Sequence, residues 1–118
     1  MKFKVGGCSE VTKADEININ VVGSSVTFNQ ILNTYCRPSI GNPKNFIIEL
    51  SLTGNNLTVK EIHLAENAVS RCLCPATVKG KISNIPKGTY DLVFRYESIL
   101  GNETGFPRIL GTFEIFIQ

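Results

Sequence analysis

The chain has 118 residues and a mass of 13.0 kDa, a size that fits one domain with a core of its own. Hydrophobic residues make up 42% of the chain and charged residues 19%, which excludes an intrinsically disordered protein. The net charge of +2 is too small to indicate a nucleic-acid-binding protein by itself. No apolar run approaches the roughly 18 residues of a membrane-spanning helix, so we expect no transmembrane segment.

Alternating apolar and polar side chains are the dominant pattern of the chain, and this period of two is typical of half-buried β-strands. Glycine, proline and asparagine separate the alternating segments and predict the turns between them. The predicted strands span residues 17–22, 26–28, 46–52, 57–64, 78–82, 90–97 and 109–117. About seven short strands with turns between them predict an all-β fold, an antiparallel immunoglobulin-like or transthyretin-like β-sandwich.

We expect residues 1–118 to form a single domain, with residues 1–14 as a candidate flexible tail. The alternation changes phase within 57–64, which predicts a β-bulge near Lys60 and Glu61. Residues 98–107 are predicted to form a polar loop, and such a loop could bind a partner. The last strand is so apolar that we expect it to be central or covered, because an exposed edge of this composition would aggregate.

The four cysteines Cys8, Cys36, Cys72 and Cys74 form an even set in a short chain, which is typical of a disulfide-bonded extracytoplasmic protein. A Cys72–Cys74 bond is disfavoured, because on a strand their Cα atoms lie about 6.6 Å apart with parallel side chains. We therefore expect Cys36 to bond to Cys72 or Cys74. If neither a disulfide nor a metal site forms, the cysteines are expected to be free buried thiols.

A metal site is the rival interpretation of the same residues. Cys36, Cys72, Cys74 and His63 could form a Cys₃His set for zinc or copper(I), although their spacing differs from the usual metal-binding pairs. His63 is the only histidine. It lies between Ile62 and Leu64, and the simpler prediction is a strand side chain that faces solvent.

Residues 5–8 (VGGC) resemble the lipobox of bacterial lipoproteins, in which the cysteine carries the lipid anchor. The residues in front of Cys8 are too few for a signal peptide. Either a signal peptide has been removed or the match is due to chance. Cys8 is therefore a candidate for lipidation or for a second disulfide.

Residues 82–92 (ISNIPKGTYDL) resemble the turn that leads into a strand in fibronectin type III and transthyretin-like sandwiches. The resemblance implies an architectural corner, with Pro86 and Gly88 shaping the turn and the Tyr90 hydroxyl bonding to nearby backbone. Together with the upstream Cys72 and Cys74, the segment is similar to small cell-envelope lipoproteins of the NigD-like type. That resemblance implies a secreted or lipid-anchored sandwich and supplies no catalytic residues.

The common enzyme motifs are absent from the sequence: it has no G-x-S-x-G, no H-E-x-x-H and no P-loop. We expect neither catalysis nor a cofactor. Lys79 and Lys81 share one strand face without interleaved aromatic residues, so we expect a solvated face and no nucleic-acid partner. The sequence predicts a non-enzymatic extracytoplasmic module that binds a protein or glycan through loops or a sheet edge. A metal-binding protein and a protease inhibitor presenting residues 98–107 are the alternatives.

Overall fold

The computed structural model describes residues 2–8, 14–35, 46–64, 73–100 and 103–118. These residues form mainly strands, and most of the strands follow from the alternation that favours a pleated, half-buried segment. The strands, in chain order, are β1 (Lys2–Cys8), β2 (Glu16–Val22), β3 (Ser25–Tyr35), β4 (Phe46–Thr53), β5 (Asn56–Leu64), β6 (Leu73–Ile82), β7 (Gly88–Leu100) and β8 (Glu103–Ile117).

The strands form two four-stranded sheets that pack face to face. Sheet I has the order β1-β6-β3-β2, and sheet II has the order β4-β5-β7-β8. Strands β5 and β7 are parallel, and the other described pairs are antiparallel. The predicted all-β sandwich is thus confirmed, with eight described strands in place of about seven.

Residues 2–8, which the sequence assigned to a candidate flexible tail, form strand β1 and extend sheet I. Lys2 to Val5 pair in register with β6, and Phe3 faces sheet II, where its ring lies 6.3 Å from that of Phe46. The segment is short and rich in glycine, so its own composition did not predict a strand. The β6 edge and the Phe46 ring supply the interactions that order it.

The centre of the sandwich is a set of edge-to-face aromatic contacts. The ring of Phe94 lies 5.1 Å from that of Phe28 and 6.0 Å from that of Phe113. Phe28 covers Gly80, its neighbour across β3 and β6; a Cβ atom at this glycine would lie 2.3 Å from the ring. Glycine is therefore required at position 80, because a larger residue would displace the central phenylalanine.

Strands β7 and β8 extend well beyond their predicted ends. Residues 98–100 and 103–107 belong to the two strands, so the predicted polar loop 98–107 is instead mostly the end of a long hairpin. Register shifts between Phe94 and Arg95, and between Tyr96 and Ser98, mark irregularities in this pairing. The protease-inhibitor alternative, which relies on residues 98–107, stays a prediction.

Candidate functional site

The predicted cysteine sites fall largely outside what the structure describes. Cys36 and Cys72 lie outside the described residues, and only the backbones of Cys8, opposite Ala76, and of Cys74 are described. Within the part of the chain that is described, no three His, Cys, Asp or Glu residues are placed to hold a metal ion. The disulfide, the lipidation of Cys8 and the Cys₃His site stay predictions.

His63 is fully buried, so the prediction of a solvent-facing side chain is wrong. Strand β5 keeps one register with β4 and with β7 along its length, and the predicted bulge near Lys60 and Glu61 is absent. The odd-numbered residues of β5 therefore continue to face the interior beyond Val59. Two polar side chains, Glu61 and His63, occupy these inward positions.

Glu61 and His63 belong to a cluster of polar side chains inside the sandwich. The cluster, called the polar cluster below, consists of Gln30, Glu61, His63 and Ser98, each at most 1% exposed. Gln30 donates from its Nε2 to Oε2 of Glu61 at 2.6 Å, which links β3 of sheet I to β5 of sheet II. The Oε1 atoms of Gln30 and Glu61 have no hydrogen-bond partner in the structure. The cluster is therefore only partly satisfied, which costs stability.

Burial shifts the pKa values of both ionisable groups of the cluster toward their neutral forms. Desolvation raises the pKa of Glu61 to about 8, although Gln30 and the positive charge of Arg108 oppose the shift; Asp15 adds to it. Desolvation also lowers the pKa of His63 to about 4. At neutral pH the interior thus holds a protonated carboxyl and a neutral imidazole. These are suitable acid–base groups, but neither is exposed to a substrate.

A charged pair joins the two sheets beside the polar cluster. Arg108 on β8 donates from Nε to Oδ2 of Asp15 at 3.1 Å and from Nη2 to the carbonyl oxygen of Asn33 at 2.7 Å. Asp15 also accepts from the backbone N–H of Asn33 at 2.8 Å. The guanidinium carbon of Arg108 lies 4.6 Å from the centre of the Tyr96 ring. This pair closes the side of the sandwich at which β2 and β8 meet.

The corner before β7 is built from the residues that the sequence singled out. The Tyr90 hydroxyl donates to the carbonyl oxygen of Pro86 at 2.6 Å. Gly88 has a φ of +152°, a conformation that side chains disfavour, which explains glycine at this position. The Ile85 N–H donates to the Ser24 carbonyl oxygen at 2.9 Å and ties the corner to the β2–β3 turn. These contacts have an architectural role.

The outer face of sheet II carries a groove of about 650 Å³. Its charges are mixed: Glu49, Lys60 and Arg95 occupy neighbouring strands at one level, and Lys60 pairs with Glu97 at 3.0 Å. The groove continues to β8, where Ile109 lines it. It provides a surface of mixed charge and moderate depth beside the edge of the sheet.

Strand β8 lies at one edge of sheet II among the described strands, with β4 at the other, so the expectation of a central last strand is wrong. Ile115 and Ile117 are buried against the core, whereas Phe116 is 59% exposed and Ile109 is 58% exposed. Only one face of the strand therefore packs into the core, and the apolar side chains of the other face are exposed. An exposed edge with large apolar side chains is a surface to which another strand can bind.

Sequence reasoning missed the polar cluster and the role of Asp15 and Arg108. The available signal was the continued alternation of β5, since positions 57, 59, 61 and 63 share one face if no bulge is assumed. Apolar Ile62 and Leu64 at even positions indicate the opposite phase, and this phase change is what predicts the bulge. The contacts of Asp15 had no sequence signal, since its partner Arg108 is 93 residues away.

The described residues include no helix long and apolar enough to cross a membrane. Comparisons with protein-family models, with curated proteins and with solved structures found no match.

Proposed function

We propose that this chain is a non-enzymatic extracytoplasmic binding module that takes up an extended segment of a partner protein at the edge of sheet II. The observation that carries the proposal is the outer edge of β8 over residues 111–117, which β2 approaches near Gly111 without pairing to it. No other described strand pairs with this edge, and Phe116 is exposed on it. A partner strand would supply hydrogen-bond partners to the free backbone groups and cover that ring.

Most of the features that usually block an open edge lie in the first half of β8. Pro107 and the register shifts opposite β7 lie in that half. Residues 111–117 (GTFEIFI) contain one charge, Glu114, and no proline. Natural edge strands are normally protected by charges, proline or bulges, so an unprotected stretch of this length favours use as a binding edge.

The non-enzymatic part of the proposal is supported by the position of the ionisable pair. Among the residues that the structure describes, Glu61 and His63 are the groups with shifted pKa values, and both are fully buried in the interior. A general acid or base has to come within hydrogen-bond distance of its substrate, which burial prevents. Their role in this proposal is structural.

The extracytoplasmic part is supported by the even number of cysteines in a short chain. The intact mass of the unreduced protein before and after thiol alkylation tests it, and four alkylated thiols in protein purified from an oxidising compartment would contradict it. We leave the lipid anchor out of the proposal. Cleavage in front of Cys8 would remove Lys2 to Val5, which pair in register with β6, and leave only Cys8 opposite Ala76.

The edge is tested by selecting peptides from a random phage library on the immobilised protein and mapping a selected peptide by amide hydrogen exchange. We expect selected peptides with alternating apolar residues, and new protection of amides within 111–117. Phe116→Lys should abolish binding, because it places a charge on the edge.

Val22→Lys is the matched control. Val22 is 61% exposed on β2, one of the two described edges of sheet I, and should tolerate the change without loss of peptide binding. Protection that appears on another strand, equal losses in the two variants, or no enrichment in the selection would each refute the proposed edge.

A further inference from the structure

Four lysines form a compact group on the outer face of sheet I. Lys2 of β1 lies directly opposite Lys81 of β6, and Lys4 lies directly opposite Lys79. All four side chains are exposed. Neighbouring strands are about 4.8 Å apart and alternate residues about 6.7 Å apart, so the four Cα atoms outline a small rectangle. We call this group the lysine face.

The lysine face is unfavourable for the isolated protein. Like charges directly opposite each other on neighbouring strands destabilise a sheet, and here two such pairs lie side by side. Glu16 is the one acidic residue among the described outward-facing positions of sheet I. It lies on β2, at the opposite edge of the sheet from β1. The positive charge therefore stays uncompensated within the sheet and favours a polyanionic ligand.

Neutral polar side chains continue both lysine rows across the sheet. The row of Lys4 and Lys79 continues with Asn29 and Asn18, and the row of Lys2 and Lys81 continues with Thr27 and Asn20. These neutral residues border a groove of about 370 Å³ that reaches Lys79. The face thus combines ammonium groups with amide and hydroxyl groups, which donate to and accept from ligand hydroxyls.

We propose that the lysine face binds an anionic polysaccharide. Lysines bind the carboxylate, sulfate or phosphate groups of such a ligand, and the asparagine rows bind its sugar hydroxyls. Single-stranded nucleic acid would require exposed aromatic side chains for stacking, and a lipid surface would favour apolar side chains that insert. The lysine and asparagine rows contain neither. This site lies on the other sheet from the β8 edge, so it goes beyond the proposed function.

Binding is tested by titrating the full chain with dextran sulfate, a sulfated polysaccharide, and with uncharged dextran. We expect dextran sulfate to bind at low salt and to dissociate as added salt shortens the range of the charge interactions, while dextran does not bind. Lys79→Gln/Lys81→Gln should weaken binding about tenfold or more, since each exposed lysine near an anionic surface contributes roughly 1 kcal/mol.

The matched control is Lys87→Gln/Arg95→Gln, which removes the same charge from exposed positions outside the face. We expect less than about a threefold change for it, because long-range attraction between exposed charges is screened. Thermal unfolding shows whether each variant is folded. Lys79→Gln/Lys81→Gln should unfold at an equal or higher temperature, because it relieves the repulsion between opposite lysines.

Asn20→Ala/Asn29→Ala tests the polysaccharide part of the proposal. We expect a several-fold loss of affinity for dextran sulfate and none for a thymidine oligonucleotide of similar charge. Equal losses in the lysine variant and its control, tighter binding of the oligonucleotide or of phosphatidylglycerol vesicles, or an unchanged affinity of the asparagine variant would overturn the proposal. Phe116→Lys should leave dextran sulfate binding unchanged, which separates this site from the β8 edge.

Discussion

The interior of the sandwich has two halves that are built from the same strands but differ in chemistry. In the apolar half, each inward position of sheet II carries a hydrophobic residue or glycine. Its two rows, read from β5 to β8, are Leu57, Leu92 and Phe113, then Val59, Phe94 and Gly111; Leu52 and Leu50 of β4 continue these rows at the sheet edge, where they are 48% and 42% exposed. In the polar half, the same strands place Glu61, Tyr96 and Arg108 in the next row.

The comparison separates the source of stability from the source of pH dependence. In the apolar half, each side chain that is removed from water stabilises the folded state. This stabilisation does not depend on pH, because the side chains involved do not titrate. The polar half buries Gln30 and Glu61 with one hydrogen bond between them and two oxygen atoms without partners. We expect it to contribute little stability and to align β3 with β5, because other alignments would leave the carboxyl without its donor.

The largest expected effect belongs to the apolar half. Phe94→Ala removes a fully buried ring that packs against Phe28 and Phe113, and should lower the free energy of unfolding by about 3–5 kcal/mol. Urea unfolding measures it. Phe116→Ala is the control, because this ring is 59% exposed and its loss should cost less than about 1 kcal/mol. A loss below about 1.5 kcal/mol for Phe94→Ala would mean that the apolar half does not supply most of the stability.

The second prediction concerns the pH dependence of the polar half. The pKa of Glu61 is about 8 in the folded chain and 4.5 for an unperturbed carboxyl. Its stabilising contribution is therefore complete below pH 4.5 and is lost as the pH rises through 8. His63 acts in the opposite direction. Its pKa of about 4 lies below the 6.5 of an unperturbed imidazole, so its stabilising contribution is complete above pH 6.5 and is lost as the pH falls toward 4.

Between pH 4.5 and 6.5, the loss of stability from Glu61 with rising pH is cancelled by the gain from His63. Above that range, only the loss from Glu61 changes the free energy of unfolding. We expect the free energy of unfolding to be nearly constant from pH 5 to 6.5 and to fall by about 1–2 kcal/mol by pH 8. Urea unfolding of Glu61→Gln, which is neutral throughout, should show no fall between pH 6.5 and 8. The same fall in both proteins would show that Glu61 does not cause it.

The sequence predicted the apolar half well, because hydrophobic side chains at every second position leave one choice of face. It failed in the polar half for a physical reason. The phase of β5 was judged from Ile62 and Leu64, which are apolar but lie on the outer face, whereas the inward positions hold Glu61 and His63. A period-two pattern reports hydrophobicity, and it cannot show a strand that keeps its register while burying polar groups.

Contacts distant in sequence account for the remaining differences. Residues 2–8 form strand β1 because they pair with β6 and because Phe3 packs against Phe46. Neither interaction can be predicted from residues 2–8 alone. The lysine face depends on the pairing of β1 with β6. The sequence alone indicated that Lys79 and Lys81 share one strand face, but it did not indicate that two further lysines lie opposite them. The hairpin at 98–107 is held by pairing between β7 and β8, which overrides its polar composition.

The smallest effect tests the charged pair that closes the polar half. Asp15→Asn keeps a side chain that can hydrogen-bond but removes the charge opposite Arg108, and should destabilise the fold by about 1 kcal/mol at low salt. The loss should shrink in concentrated salt. Asp91→Asn is the control, since Asp91 is exposed and faces away from the core. Equal losses in the two variants would show that the pair does not stabilise the sandwich.

The same variant also connects the charged pair to the pH dependence. Arg108 lowers the pKa of Glu61 and Asp15 raises it, so removing the Asp15 charge leaves the effect of Arg108 unopposed. The pKa of Glu61 in the folded chain should then move toward its value in the unfolded chain, and the fall in stability toward pH 8 should be smaller than in the parent protein. If the fall is unchanged while the stability is lower, the pair acts only as a link between the sheets. A smaller fall shows that it also sets the charge state of the buried carboxyl, which ties the two sheets and the polar cluster into one electrostatic unit.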